Sequence, residues 1–382
     1  MIKRIVCLGV ALLCLACGCT LQHRNRSGVT VERFRYKHKV GKMVLAREDA
    51  MNICSQVLRS QFTTCEEVEE ACLMLMDVKS GNVLAAVDMI AEKSDIRIDT
   101  LNRGLVRLCE PGPVFETATL AALLSDGSVR SPEDKIPVGN GVVSGTVIRD
   151  ERTVAYAADH RTDSISVLEG FRISSNYVFA SLAVRNYGIA GSKSRQDGFD
   201  KTDRFLKELT GYFAGVEDCP VPNIPTPSTR YWSDTDLGSI AYGYSLELTP
   251  LHVLTFYNAL ANGGKGASGR ICTEAVADTL IRALKESARA EFKTPNDAIA
   301  GKAGNSFQLL QNHQYEDAEG RCRIQRTFVG FFPAEDPQYS FICVARYRPL
   351  GAWNPKIDLP GRTIQSLYDL MKREIEYWEE VD

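Results

Sequence analysis

Strand-forming runs stand at both ends of this chain, and helix-forming runs lie between them. Ala71 to Val87 reads as two strands about a turn: Leu73 to Met76 is apolar, Lys79-Ser80-Gly81-Asn82 is turn chemistry, and Val83 to Val87 is apolar again. Near the other end, Ala298 to Gly304 enters a strand. Thr327 to Phe332 and Tyr339 to Arg346 follow as two more, joined at Pro333 to Gln338. Between these groups, Thr117 to Leu124, Ser166 to Val184 and Leu251 to Asn262 read as helices, the last ended by Gly263-Gly264. Thr363 to Trp378 closes the chain as an amphipathic helix. Such a chain must bring its two ends together to complete one sheet. The expected fold class is α+β, an antiparallel sheet flanked by helices with an all-helical subdomain. Residues 46–70 carry helix formers, and residues 189–235 read as a long polar loop with one helix, Thr202 to Leu209.

The first residues follow a different pattern. Lys3 and Arg4 precede an apolar run, Ile5 to Ala16, that ends in Cys17-Gly18-Cys19. A positive head and an apolar run of about 12 residues make an export signal, too short for a membrane span. Gly18 before Cys19 fits a lipoprotein processing site best. Ala16 before Cys17 also fits, and an uncleaved anchor or a cut elsewhere is the alternative. The expected boundaries are 1–19 for the signal, 20–65 for a basic, irregular stalk and helical lead-in, and 66–382 for the domain. The domain would then face the outside of the membrane, in the cell envelope.

Charge and cysteine content remove several functions. The net charge of the 382 residues is −3, which gives no basic footprint for nucleic acid. No Gly-x-x-x-x-Gly-Lys-Ser/Thr loop occurs, so no nucleotide cofactor is implied. Of 12 cysteines, eight lie beyond the first 19 residues, none in Cys-x-x-Cys spacing, so no metal site is expected. Disulfides and buried free thiols both remain open for them.

Six ordered stretches then belong together: Asp77-Val78-Lys79-Ser80-Gly81, Glu110-Pro111-Gly112 with Phe115, Ser174-Ser175-Asn176, Gly243-Tyr244 with Leu248 to Gly264, Ala300-Gly301-Lys302-Ala303-Gly304, and Phe328 to Ala334. Over these, from about Glu66 to the C-terminus, the chain resembles the transpeptidase domain of class B penicillin-binding proteins, especially the septal cell-division type. The resemblance implies an acyl-transfer site with a Ser-x-x-Lys pair at the start of a buried helix, a Ser-x-Asn wall and a Lys-Thr-Gly strand.

Acyl transfer needs a nucleophilic hydroxyl, a group that activates it and donors for the oxyanion. Here the serine position is Pro113 and the lysine position is Glu116. Proline has no hydroxyl, and glutamate reverses the charge. Both residues suit a helix start, where a missing N–H is harmless and a negative charge is favoured. The helix is therefore expected to persist without its chemistry. Ser174 and Asn176 keep the second motif. Lys302 and Gly304 keep two thirds of the third, with Ala303 in place of threonine and Asn305 where a second hydroxyl is usual. Lys302 is expected to pair with Glu116 across the old site. Thr117 and Thr119 should turn away from it, and Ser174 is the best substitute nucleophile. His160, His252 and His313 are read as structural or exposed.

The resemblance and the two replacements together imply an inactive homologue. It would act as a binding or scaffolding factor in peptidoglycan synthesis or division, with peptidoglycan or wall-synthesis and division proteins as partners. A lipid anchor at Cys19 would hold it to the membrane. The alternatives are an active D,D-transpeptidase or carboxypeptidase with another nucleophile, and a non-covalent β-lactam or muropeptide sensor.

Overall fold

The computed structural model describes residues 47–379, apart from 93–94, 100–102, 140, 149, 217–218, 228–231, 267–268, 293–296, 309, 311–313 and 350–357, together with four strands between residues 22 and 45. Residues 1–19, where an export signal is expected, with Cys17 and Cys19, and also His313, lie outside the described residues. The stretch expected to be irregular holds two short antiparallel hairpins, Gln22–Arg24 with Thr30–Glu32 and Tyr36–Lys39 with Lys42–Leu45.

Both ends of the chain do meet in one antiparallel sheet. Its strands are β1 (Val68–Asp77), β2 (Val83–Glu92), β3 (Asp95–Ile98), β4 (Ala300–Phe307), β5 (Ile324–Phe332) and β6 (Tyr339–Tyr347), in the order β4-β5-β6-β1-β2-β3. β1 and β6 pair directly, Leu73 opposite Cys343 and Leu75 opposite Phe341. Both faces of these central strands are covered, which is why β1 reads as a continuous apolar run rather than an alternating one.

The two faces carry two cores. On one face, Leu73, Leu75, Phe328 and Phe341 pack with helix α1 (Arg47–Phe62) and with the helix at the C-terminus. Helix α1, placed in the lead-in by sequence, buries Ile53, Cys54, Leu58 and Phe62 in this core. On the other face, Met74, Met76, Val329 and Ile342 meet the helical lobe. There lie α2 (Glu116–Ser125), α3 (Glu151–His160), α4 (Val167–Arg172), α5 (Asn176–Tyr187), α6 (Arg195–Tyr212), α7 (Asp234–Ala241), α8 (Pro250–Ala261) and α9 (Glu274–Glu291). The chain ends in α10 (Leu359–Glu379). Fully burying one Leu or Phe contributes about 1.5–3 kcal/mol, so these cores dominate stability.

Two helix expectations need correction. The stretch read as a long loop holds the 18-residue helix α6 and, at its end, the start of α7. Polar residues cover one side of α6, but Phe199, Phe205, Leu206 and Leu209 form a buried stripe, and Ser194 caps the first turn. The stretch Ser166 to Val184 is not one helix. Ser174 takes a left-handed φ of 55°, and Ser175 then caps α5 by accepting from the Val178 N–H. Helices α3 and α9 were not anticipated. The eight cysteines between Cys54 and Cys343 are free thiols.

Candidate functional site

The site forms where a 3₁₀ turn, Gly112–Phe115, leads into α2 against the edge strand β4. Gly112 and Gly243 make this entry possible. Gly112 donates to the Gly243 carbonyl at 3.0 Å. Both have positive φ, 63° and 88°, and a Cβ on Gly243 would stand 2.1 Å from the Gly112 oxygen. Only glycine tolerates that combination. The Tyr257 hydroxyl, from α8, donates to the Val114 carbonyl at 2.9 Å and lies 2.6 Å from Thr117 Oγ1. Burial holds the Tyr257 hydroxyl far above its ordinary pKa, so it stays a donor. Thr119 donates to the Ala241 carbonyl, so both threonines face away from β4.

Pro113 is buried, and its ring lies against β4. A Cβ on Gly304 would come within 2.8 Å of the Pro113 Cβ and 3.0 Å of its Cδ, so the ring occupies the space that glycine leaves. One turn later comes Glu116, with no exposed surface. Its Oε2 stands 3.1 Å from Nζ of Lys302, which is equally buried. The expected pairing is present.

The ammonium of Lys302 has further partners. It donates to the Phe171 carbonyl at 2.6 Å and to Ser174 Oγ at 2.8 Å, and it lies 4.4 Å from the centre of the Phe171 ring. Two oxygens, a carboxylate and an aromatic face thus enclose one positive charge. Burying such a charge without partners would be prohibitive. Ser174 is held at the bend between α4 and α5, with the left-handed φ noted above.

Asp150, which sequence reasoning missed, fixes that bend. Its Oδ2 accepts from Ser175 Oγ at 2.8 Å, from the Tyr177 N–H at 2.9 Å and from Thr153 Oγ1 at 2.8 Å. Its Oδ1 accepts from the Thr153 N–H, capping α3. The signal was present in the sequence: an Asp three residues before Thr153, ahead of a helical stretch, is an N-cap pattern.

The residues assigned to the cleft divide by strand alternation. Lys302 and Gly304 face the side of the strand on which Pro113, Glu116 and Ser174 lie. Ala303 belongs to the core on the opposite face, and Asn305 Oδ1 accepts from Arg326 at 3.3 Å. Alternate residues of a strand point to opposite faces. Ser306, not singled out by sequence, lies on the Lys302 side and packs beneath Gly112. Asn176 is the half-buried first residue of α5.

The histidines stand apart. His252 caps α8 by accepting from the Thr249 N–H, and burial lowers it to about 4. His160 stacks on Tyr156 at 4.0 Å. Glu110, just before the 3₁₀ turn, accepts from the Ser245 N–H at 2.8 Å and from the Tyr315 hydroxyl at 2.8 Å. Burial raises its carboxyl above the ordinary range, against the pull of these two donors.

Comparison with known proteins places this arrangement. Residues 71–349 match the family described as the penicillin binding protein transpeptidase domain. The chain is 24% identical over 314 residues to a probable peptidoglycan D,D-transpeptidase, PbpC, of Pseudomonas aeruginosa, covering 74% of this chain and 51% of that protein. It is 23% identical over 332 residues to the penicillin-binding protein PbpB of Mycobacterium tuberculosis, covering 84% and 44%. The chain thus spans about half the length of these curated relatives. Among solved structures, the apo TP domain of Burkholderia pseudomallei penicillin-binding protein 3 superposes with a TM-score of 0.63 at 17% identity, over 86% of this chain and 95% of that one. A peptidoglycan synthetase from Bifidobacterium adolescentis gives a TM-score of 0.62 at 16% identity, over 93% and 66%.

Proposed function

This chain is a member of the penicillin-binding protein transpeptidase domain family, and we propose that it is a class B, septal-type member that has kept the scaffold and lost acyl transfer. It works by binding, as a scaffold in peptidoglycan synthesis or division, with peptidoglycan or wall-synthesis proteins as partners. Its domain lies outside the membrane, held by a lipid on Cys19.

The observation that carries this reading is the contact between Glu116 and Lys302 beside the Pro113 ring. An acyl-transfer enzyme needs a hydroxyl where Pro113 lies and an activating group where Glu116 lies. Loss of the nucleophile alone costs roughly 10⁶ in turnover in a serine hydrolase. The side chains that replace them are matched to one another rather than merely absent. A carboxylate now occupies the lysine position, and the remaining lysine neutralises it. The proline ring closes the gap over Gly304.

A second reading keeps an activity, as a D,D-transpeptidase or carboxypeptidase attacking through Ser174. It is favoured by one observation, the 2.8 Å contact of Ser174 Oγ with Lys302. In that contact Lys302 is the donor. Paired with a carboxylate, the ammonium has no lone pair with which to take a proton from Ser174, so the contact favours a structural role.

Intact-mass analysis after incubation with a β-lactam separates the two readings. The wild-type chain is expected to carry no adduct. A stoichiometric adduct mapping to Ser174 would overturn the inactive reading. A Pro113→Ser, Glu116→Lys double variant, measured beside it, asks whether two substitutions restore labelling.

A further inference from the structure

A cavity of about 320 Å³ opens beside the chain that leads into the 3₁₀ turn. Arg107, Glu110, Glu247, Phe307 and Gln308 are among the residues that line it. Pro113, Glu116, Ser174 and Lys302 are not, so the cavity is separate from the ion-paired site.

Its chemistry is mixed and mostly fixed in place. Glu110 is held by Ser245 and Tyr315. Glu247 accepts from Asn223 Nδ2 at 2.9 Å, and a pair of backbone hydrogen bonds ties the same two residues together. A carboxylate offers about four acceptor sites, so both acids retain capacity for a ligand. Arg107 binds Glu70 at 2.9 Å through one nitrogen, and its side chain is 48% exposed. A guanidinium has five N–H donors, so others remain for an anion. Gln308 adds a different signal: its Nε2 is buried without a hydrogen-bond partner. A buried donor without an acceptor is a cost that a ligand carbonyl would remove. Phe307 is 43% exposed, a large apolar side chain left open to solvent on the same rim.

Two fixed negative charges, one positive fork, one unused amide donor and an open ring call for a ligand with the complementary set. It would bear an ammonium, a carboxylate, a carbonyl between them and a small apolar side chain. The volume sits at the low end of the roughly 300–1,000 Å³ typical of ligand pockets, which limits the ligand to a short peptide. We propose that this cavity binds a zwitterionic peptide of dipeptide size. Its ammonium lies toward Glu110 and Glu247, its carboxylate at Arg107, its carbonyl on Gln308 and its side chain against Phe307. The proposal stands apart from the loss of acyl transfer, because none of the residues of that argument takes part.

The test is a calorimetric or NMR titration of the full chain with alanyl-alanine. The L,L and D,D forms serve as separate arms, because they distinguish ordinary peptide from wall-derived peptide as the source. Saturation by either form, in the millimolar range or tighter, is expected of a ligand this small. The N-acetylated and C-amidated peptides should each bind at least about tenfold more weakly, a loss of about 1.4 kcal/mol. Glu247→Gln should weaken the free-amine peptide while leaving the N-acetylated one unchanged. Gln308→Met should weaken every form. The proposal is overturned if neither dipeptide saturates, or if blocking the termini changes nothing. Either failure leaves the β-lactam result as it was, since labelling reads a different part of the molecule.

Discussion

Glu116 Oε2 and Lys302 Nζ stand 3.1 Å apart with neither side chain exposed to solvent. Removing one charge strands the other in an apolar interior. Breaking such a pair costs about 3–5 kcal/mol, whereas replacing both with apolar groups of similar size is often neutral or stabilising. Glu116→Gln is therefore expected to lower unfolding stability by about that amount. Glu116→Leu combined with Lys302→Met should recover most of the loss. Denaturant titration of the single and double variants checks this. Equal destabilisation by the double variant would show that the pair is not what holds these elements.

Asp150 gathers donors from Thr153, Ser175 and Tyr177 on one carboxylate. Asp150→Ala removes a helix cap, about 0.5–2 kcal/mol, and leaves buried donors unsatisfied at about 1–3 kcal/mol. A combined loss of roughly 2–4 kcal/mol is expected from these two effects. Asp150→Asn keeps one acceptor and should lose less. Thermal unfolding of both variants measures the difference.

Gly243 and Gly127 both have positive φ, 88° and 76°, but only Gly243 faces a close backbone neighbour. A Cβ on Gly127 would meet nothing within 4 Å. Gly127→Ala is thus expected to cost about 1–2 kcal/mol, the price of the left-handed backbone. Gly243→Ala should cost several-fold more, because the Gly112 carbonyl must move. Matched unfolding curves for the two variants isolate the close approach from the backbone angle.

Asp88 is buried beside Glu70, Asp99 and Arg346, and its Oδ2 accepts from the Gly104 N–H at 2.6 Å. Burial pushes its carboxyl up to about 6 from the ordinary 3.8, with Glu70 and Asp99 adding to the rise and Gly104 and Arg346 opposing it. The folded state therefore holds this proton more tightly than the unfolded chain. The stability it contributes is fully present below pH 3.8 and is lost as pH rises through about 6. Asp88→Asn should flatten that window. Denaturation midpoints at several pH values, wild type against variant, give the test.

The sheet was legible because its strands carry their own signal. Leu73 to Met76 and Phe328 to Phe332 are apolar on both faces, and Lys79 to Asn82 can hardly be anything but a turn. The pairing of Glu116 with Lys302 followed from the charges at two motif positions. Helix α6 was harder to read, because its buried stripe is diluted by Lys, Asp and Arg along its outer side. The separation of Ala303 and Asn305 from Lys302 depends on strand phase, which a motif read as a string of letters does not carry. The bend at Ser174 depends on a single backbone angle and on Asp150, 24 positions earlier in the numbering.

Lys302 is also a joint between segments that are remote along the chain. Its ammonium touches Glu116 on α2, the end of α4 at Phe171, the bend at Ser174 and, through its own backbone, the sheet edge. An opening motion that parts the helical lobe from the sheet must break all of these contacts in one event. Amide protons around residues 116, 171–178 and 300–304 should accordingly exchange with solvent as one cooperative unit, with a common opening free energy. The helical lobe and the sheet edge are thus riveted together at a single ammonium, and the segments it joins open together or not at all.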